Sequence, residues 1–262
     1  MQKTILFRQQ NLVYKVSGTG LPVMLLHGFT EDQNIWDTLV NAFPEKYQWL
    51  VPDLPGSGKS DFNPSLEEIA DFAAAVNAIR QEEQIQQMVV IGHSMGGYIA
   101  LALAEKYPEH LKGFGLFHST AYEDRPEKKE SRLKSMEFIR KHGSSAYVRQ
   151  SLPGLFSSHF KNNHPGIIQR QVERYANFNP DSLVQYLNAM RNRKDKTLIL
   201  KNMKIPVMFL IGEEDPAVPL RDALEQCHLP EISYIHILTH TAHMGMLENT
   251  NLCNSLPGRF LD

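Results

Sequence analysis

The chain predicts an α/β fold: a mostly parallel central sheet flanked by helices, with a helical lid inserted in its second half. Three observations carry this. Strand-like apolar runs alternate with helical patterns over the first 120 residues, strand signals vanish from Ala121 to Arg193, and the alternation then resumes. The expected division is a core of residues 1–120 and 194–262, with a lid of residues 121–193.

Lys3–Phe7 and Leu12–Val16 read as opening strands joined by a polar turn, and Pro22–Leu26 as a continuous apolar run suited to a buried strand. Ile35–Phe43 reads as a short helix and Gln48–Val51 as the next strand. Ser65 with Glu68 three residues on has the pattern of a capping box, followed by an apolar stripe from Leu66 to Ile79 at helical spacing. Met88–Ile91 and Gly113–Phe117 are strands on either side of a helix over Tyr98–Lys106. In the lid, Glu127–His142 reads as a helix closed by Gly143, followed by helices at Ile167–Tyr175 and Ser182–Met190. Pro206–Ile211, Leu220–Gln226, Ile232–Leu238 and Met246–Arg259 then alternate strand and helix.

Composition narrows the partners. With 42% hydrophobic residues, 21% charged and a net charge of -2, the chain offers no basic excess for nucleic acid. No apolar run approaches the roughly 18 residues of a membrane helix, and Met1–Arg8 has too short an apolar run for a signal peptide. A cytoplasmic location is the expectation. Cys227 and Cys253 lack metal-ligand spacing and read as buried thiols of a reducing compartment. No metal or cofactor is expected, and the oligomeric state stays open.

Gly92-His93-Ser94-Met95-Gly96 lies between the Met88–Ile91 strand and the following helix. In that context Gly-x-Ser-x-Gly presents a serine on a sharp, strained turn, at a helix N-terminus whose free N–H groups favour a developing anion. A serine hydroxyl needs a base, and the base needs an orienting acid. Candidates follow two later strands: Glu213, Glu214 and Asp215 after Ile211, and His240 and His243 after Leu238. Asp215 is favoured because Pro216 stiffens its backbone, and His243 because it lies where the loop folds back toward Ser94. The expected oxyanion donors are the Met95 N–H and the Phe29 N–H, the latter turned inward by Gly28.

Together His27-Gly28-Phe29, Asp53-Leu54-Pro55-Gly56-Ser57-Gly58-Lys59-Ser60, Gly92-His93-Ser94-Met95-Gly96-Gly97, Gly212-x-x-Asp215 and His243 resemble the α/β-hydrolase fold superfamily along nearly the whole chain. The resemblance implies a Ser94–His243–Asp215 triad, an oxyanion hole from Phe29 and Met95, and a lid inserted after the Gly113–Phe117 strand. It departs from the pattern at Ala242, where glycine is common, and in having no proline after Glu248. The implied activity is hydrolysis of a small-molecule carboxylic ester without a cofactor. Carbon–carbon bond hydrolases, enol-lactonases and a non-enzymatic small-ligand receptor share the same pocket plan.

Other motifs read more plainly. Gly56–Ser60 lacks the glycine that a phosphate loop needs at position 53, where an aspartate stands, and reads as a turn lining the pocket. His27 and His93 read as packing and hydrogen-bonding residues rather than a second base, and His118, His142, His159 and His164 have no ligand spacing. The charges of Glu123–Lys141, with Glu130/Lys134 and Glu137/Lys141 at i,i+4, read as a solvated helix face. Phe138, Phe156, Phe160, Tyr175, Phe178 and Tyr186 read as lid packing.

Overall fold

A computed structural model describes residues Met1–Asp262. Its strands are β1 (Gln2–Phe7), β2 (Gln10–Ser17), β3 (Leu21–Leu26), β4 (Tyr47–Pro52), β5 (Met88–His93), β6 (Leu111–Phe117), β7 (Val207–Gly212) and β8 (Ser233–Leu238). They form one sheet in the order β1-β2-β4-β3-β5-β6-β7-β8. β1 and β2, and β2 and β4, pair antiparallel; every other neighbouring pair is parallel. β3, β5, β6 and β7 are largely apolar because both faces are covered, whereas the edge strand β8 leaves Tyr234, Ile235 and Ile237 exposed. Within β3, Met24 and Leu26 face one buried cluster while Val23 and Leu25 face the other, the two-residue alternation of a strand.

Helices α1 (Asp37–Ala42), α2 (Ile69–Glu82) and α3 (Met95–Lys106) connect the early strands. α2 begins at Ile69 rather than Ser65. The Ser65 hydroxyl is held by Asn63 Oδ1, and the Asp71 carboxylate accepts the Glu67 and Glu68 N–H groups, so the cap sits one turn later than expected.

Between β6 and β7 lie α4 (Pro126–Ser151), α5 (Ser158–Asn163), α6 (Pro165–Tyr175), α7 (Pro180–Asn192) and α8 (Thr197–Asn202). Gly143 does not end the first of these. At φ 81°, ψ 168° it kinks α4, and helix continues to Ser151. Only glycine adopts that backbone geometry cheaply, which is how one residue redirects the chain within a helical run. Phe156, Phe160, Tyr175 and Tyr186 are buried, as packing residues should be. After β7 come α9 (Leu220–Gln226), α10 (Gly245–Glu248) and α11 (Thr250–Leu261), so the expected terminal helix is broken at Asn249. No helix is long and apolar enough to cross a membrane.

Candidate active site

Four parallel strands deliver the candidate residues to one edge of the sheet, at their C-terminal ends. Phe29 follows β3, Ser94 follows β5, Asp215 lies three residues beyond β7, and His243 lies on the loop after β8. This is where open α/β sheets place ligands.

Ser94 sits at φ 50°, ψ −114°, an unfavourable conformation for a residue with a Cβ and worth roughly 1–3 kcal/mol of strain. The surroundings hold it there. Its N–H donates to Phe117 O at 3.0 Å, and its carbonyl accepts from the Gly97 N–H at 2.9 Å and the Ser119 hydroxyl at 2.7 Å. A Cβ on Gly92 would strike the backbone of Gly96, and one on Gly96 would strike Leu26, so the flanking glycines are required by close packing.

The Ser94 hydroxyl donates to His243 Nε2 at 2.8 Å, and His243 Nδ1–H donates to Asp215 Oδ2 at 2.8 Å. Asp215 Oδ1 accepts the N–H groups of Ala217 and Val218 at 2.8 and 2.9 Å, which locks the carboxylate. Burial alone would raise the Asp215 pKa, but the His243 and His118 rings outweigh it and hold the carboxyl far below its usual range. The competing candidates lie elsewhere: His240 is exposed and 3.6 Å from Glu214, and Glu213 accepts from the His240 N–H.

The Phe29 N–H has no acceptor within the chain, and Met95 opens α3, where the first N–H groups are free by helix geometry. A Cβ on the adjacent Gly28 would lie 2.8 Å from His93 Nδ1 and 3.2 Å from Ser94 Cβ, so the loop passes directly over the serine.

Beneath that loop is a pair that sequence reasoning missed. Glu31, buried, accepts the Gly28 N–H at 2.5 Å and His93 Nδ1–H at 3.0 Å. His93 Nε2–H donates to His243 O at 3.0 Å. With Glu31 ionised, both ring nitrogens of His93 face acceptors and the ring is an imidazolium. Burial opposes charging each partner, but Glu31 raises the His93 pKa and His93 lowers that of Glu31. His93 thus hydrogen-bonds as expected, and with Glu31 it ties the loop before Phe29 to the backbone of His243. The available signal was an acid four residues after His27, which has no meaning until His93 is seen beside it.

His118 is the reverse case. Its Nδ1 lies 3.6 Å from Asp215 Oδ2, beyond hydrogen-bond reach, and neither ring nitrogen has a partner. Burial lowers its pKa to about 4, so it is neutral at pH 7. The unfolded chain binds a proton near pH 6.5 that the folded chain refuses until about pH 4. Stability is consequently full above pH 6.5 and lost as pH falls through this window. His118→Gln is expected to lose roughly 2 kcal/mol less than the parent chain between pH 7 and 4.5, measured by urea denaturation at each pH; equal losses would contradict it.

A cavity of about 160 Å³ opens above Ser94 and His243, space for on the order of ten waters and so for a compact substrate. Phe29, Tyr98, Leu155, Leu187 and Met190 supply apolar wall, and Lys128, Arg132, Tyr147 and Ser151 come from α4. Two expectations need correction here. Asp53–Ser60 does not line this cavity: buried Asp53 accepts from Gln33 and from the Lys59 N–H, and the Tyr186 hydroxyl donates to Pro55 O, so the turn seats α7. The charged first half of α4 is likewise more than a solvated face, although Glu130–Lys134 does form an exposed pair at 3.6 Å.

Comparison with known proteins agrees with this architecture. A family model described as alpha/beta hydrolase fold matches residues 22–119. Lipase 3 of Moraxella sp. (strain TA144) is 25% identical over 254 residues, covering 88% of this chain and 74% of the lipase. An uncharacterized Mycobacterium tuberculosis protein is 25% identical over 96 residues, 37% of this chain but only 28% of that protein's length. Among solved structures, a thermophilic esterase from Thermogutta terrifontis superposes with a TM-score of 0.93 at 26% identity, covering 100% of this chain and 98% of the esterase.

Proposed function

We propose that this chain, which has the α/β-hydrolase fold, is a serine hydrolase that cleaves a carboxylic ester of a small molecule through an acyl-enzyme. The observation that carries this reading is the continuous relay from Ser94 Oγ to His243 to Asp215, two hydrogen bonds of 2.8 Å beneath a cavity. The esterase and the lipase to which it is similar support the substrate class.

In the proposed mechanism Ser94 Oγ attacks the ester carbonyl carbon as His243 Nε2 takes the hydroxyl proton. Asp215 fixes the imidazole with Nδ1 protonated and stabilises the imidazolium that forms. The carbonyl oxygen, now negative, receives the Phe29 and Met95 N–H groups. Collapse of the tetrahedral intermediate breaks the bond to the alcohol oxygen, which leaves with the proton from His243. Water then attacks the acyl-enzyme, giving its proton to His243, and the acid is released as Ser94 regains its own.

Short-chain p-nitrophenyl esters test the reading. The expected result is a burst of up to one p-nitrophenolate per chain followed by steady release. Labelling by a fluorophosphonate without ester turnover would instead favour a ligand-binding receptor.

A further inference from the structure

The cavity above Ser94 is apolar on one side, but its lid wall carries two cations, Lys128 and Arg132, one turn apart on α4. Their counter-charges do not balance them. Lys128 has no carboxylate within ion-pair distance, and its Nζ donates instead to Ala217 O at 2.6 Å, two residues past Asp215. Arg132 Nε donates to Asp124 Oδ2 at 2.5 Å, but Asp124 Oδ1 also takes Arg193 Nη1 at 2.8 Å. One buried carboxylate thus serves two guanidinium groups, and Arg132 Nη1 has no acceptor in the chain. Glu31, the carboxylate on the cavity wall, is already matched by His93. Lys128 and Ala217 also line a neighbouring groove that carries Glu123, Asp124, Glu127, Asp195, Asp222 and Glu225, none of them within ion-pair distance of Lys128 Nζ.

A cation on a partly enclosed, largely apolar wall is poorly screened, so it attracts an anion far more strongly than it would in bulk water. The Arg132 side chain is only 12% exposed and lines this cavity. Pairing with a ligand carboxylate would satisfy its open Nη1 edge and give Lys128 the counter-charge it lacks.

We infer that this site takes small esters bearing a free carboxylate, held by Lys128 and the open edge of Arg132 while the ester carbonyl lies at Ser94. The inference rests on the serine-hydrolase reading and names its substrate class. The cavity size restricts the candidates to compact molecules such as half-esters of short dicarboxylic acids.

The test compares monoethyl esters of succinate, glutarate and adipate with ethyl esters in which an isopropyl group replaces the far carboxylate, hydrolysis being followed by proton release. Acyl esters of short hydroxy acids place the carboxylate on the alcohol side. In at least one series kcat/KM is expected to favour the charged ester by about tenfold or more. That ratio should fall about tenfold in Lys128→Met and recover in Lys128→Arg. Ser94-dependent hydrolysis with a ratio near one in both series overturns the inference and leaves the hydrolase reading intact. A ratio that survives in Lys128→Met overturns the assignment to this wall. Glutarate binding by calorimetry gives a readout independent of turnover. It should weaken about tenfold in Lys128→Met, and equal affinity in the two chains also overturns the inference. Ester hydrolysis that persists in Ser94→Ala identifies failure of the underlying reading instead.

Discussion

Ser94→Ala is expected to lower ester turnover by on the order of a thousandfold or more while leaving the fold intact. Removing Oγ deletes the atom that would form the acyl bond and leaves His243 with only Asp215 as a partner. Alanine fits the space, and the strained turn is held by backbone contacts to Phe117, Gly97 and Ser119 that do not involve Oγ. The loss should therefore fall almost entirely on kcat, with no drop in the urea midpoint. Residual activity would come from Phe29 and Met95 acting on a carbonyl attacked directly by water. A variant with a parental rate would remove Ser94 from the reaction.

The second large effect lies beneath the oxyanion loop. Glu31→Ala leaves the Gly28 N–H without an acceptor and the His93 imidazolium without its counter-charge, both buried. Breaking a buried pair by removing one partner costs roughly 3–5 kcal/mol. The pH dependence has a definite shape. Glu31, whose pKa is lowered from 4.5, contributes stability present above that value and lost as pH falls. His93, whose pKa is raised from 6.5, contributes stability present below that value and lost as pH rises through its folded pKa. The deficit of Glu31→Ala relative to the parent should consequently be greatest between pH 4.5 and 6.5 and shrink on either side. Turnover should fall as well, because Gly28 precedes Phe29 and His93 holds the carbonyl of His243. Glu31→Gln, which preserves shape and one acceptor, should be milder in both respects. Urea midpoints across this pH range, with kcat at pH 7, provide the check; a pH-independent deficit would contradict the ionised pair.

What was legible in the sequence follows from period and punctuation. β3, β5, β6 and β7 are short apolar runs bounded by glycine, proline or polar residues, so their positions emerge within a residue or two. Ser94 and Asp215 stand just after such runs and His243 on the loop after β8, and the geometry brings them within hydrogen bonds of one another. The lid was harder. Gly143 looks like a helix stop, yet it is a kink, and Tyr147, Ser151 and Leu155 beyond it line the cavity. Lys128 and Arg132 differ in no local way from their solvated neighbours; only the packing of α4 over the sheet turns that stripe inward. Glu31 and His93 lie 62 residues apart, and neither announces a partner. Asp53–Ser60 carries a strong turn signal, but the signal specifies backbone geometry and not which face meets the cavity.

The most direct measurement is the mass of peptides from the chain quenched during the burst phase of ester turnover. The account predicts one acyl group, carried on the Ser94 hydroxyl and lost on further incubation. An acyl group on any other side chain, or steady turnover with none trapped on Ser94, would contradict the proposed relay.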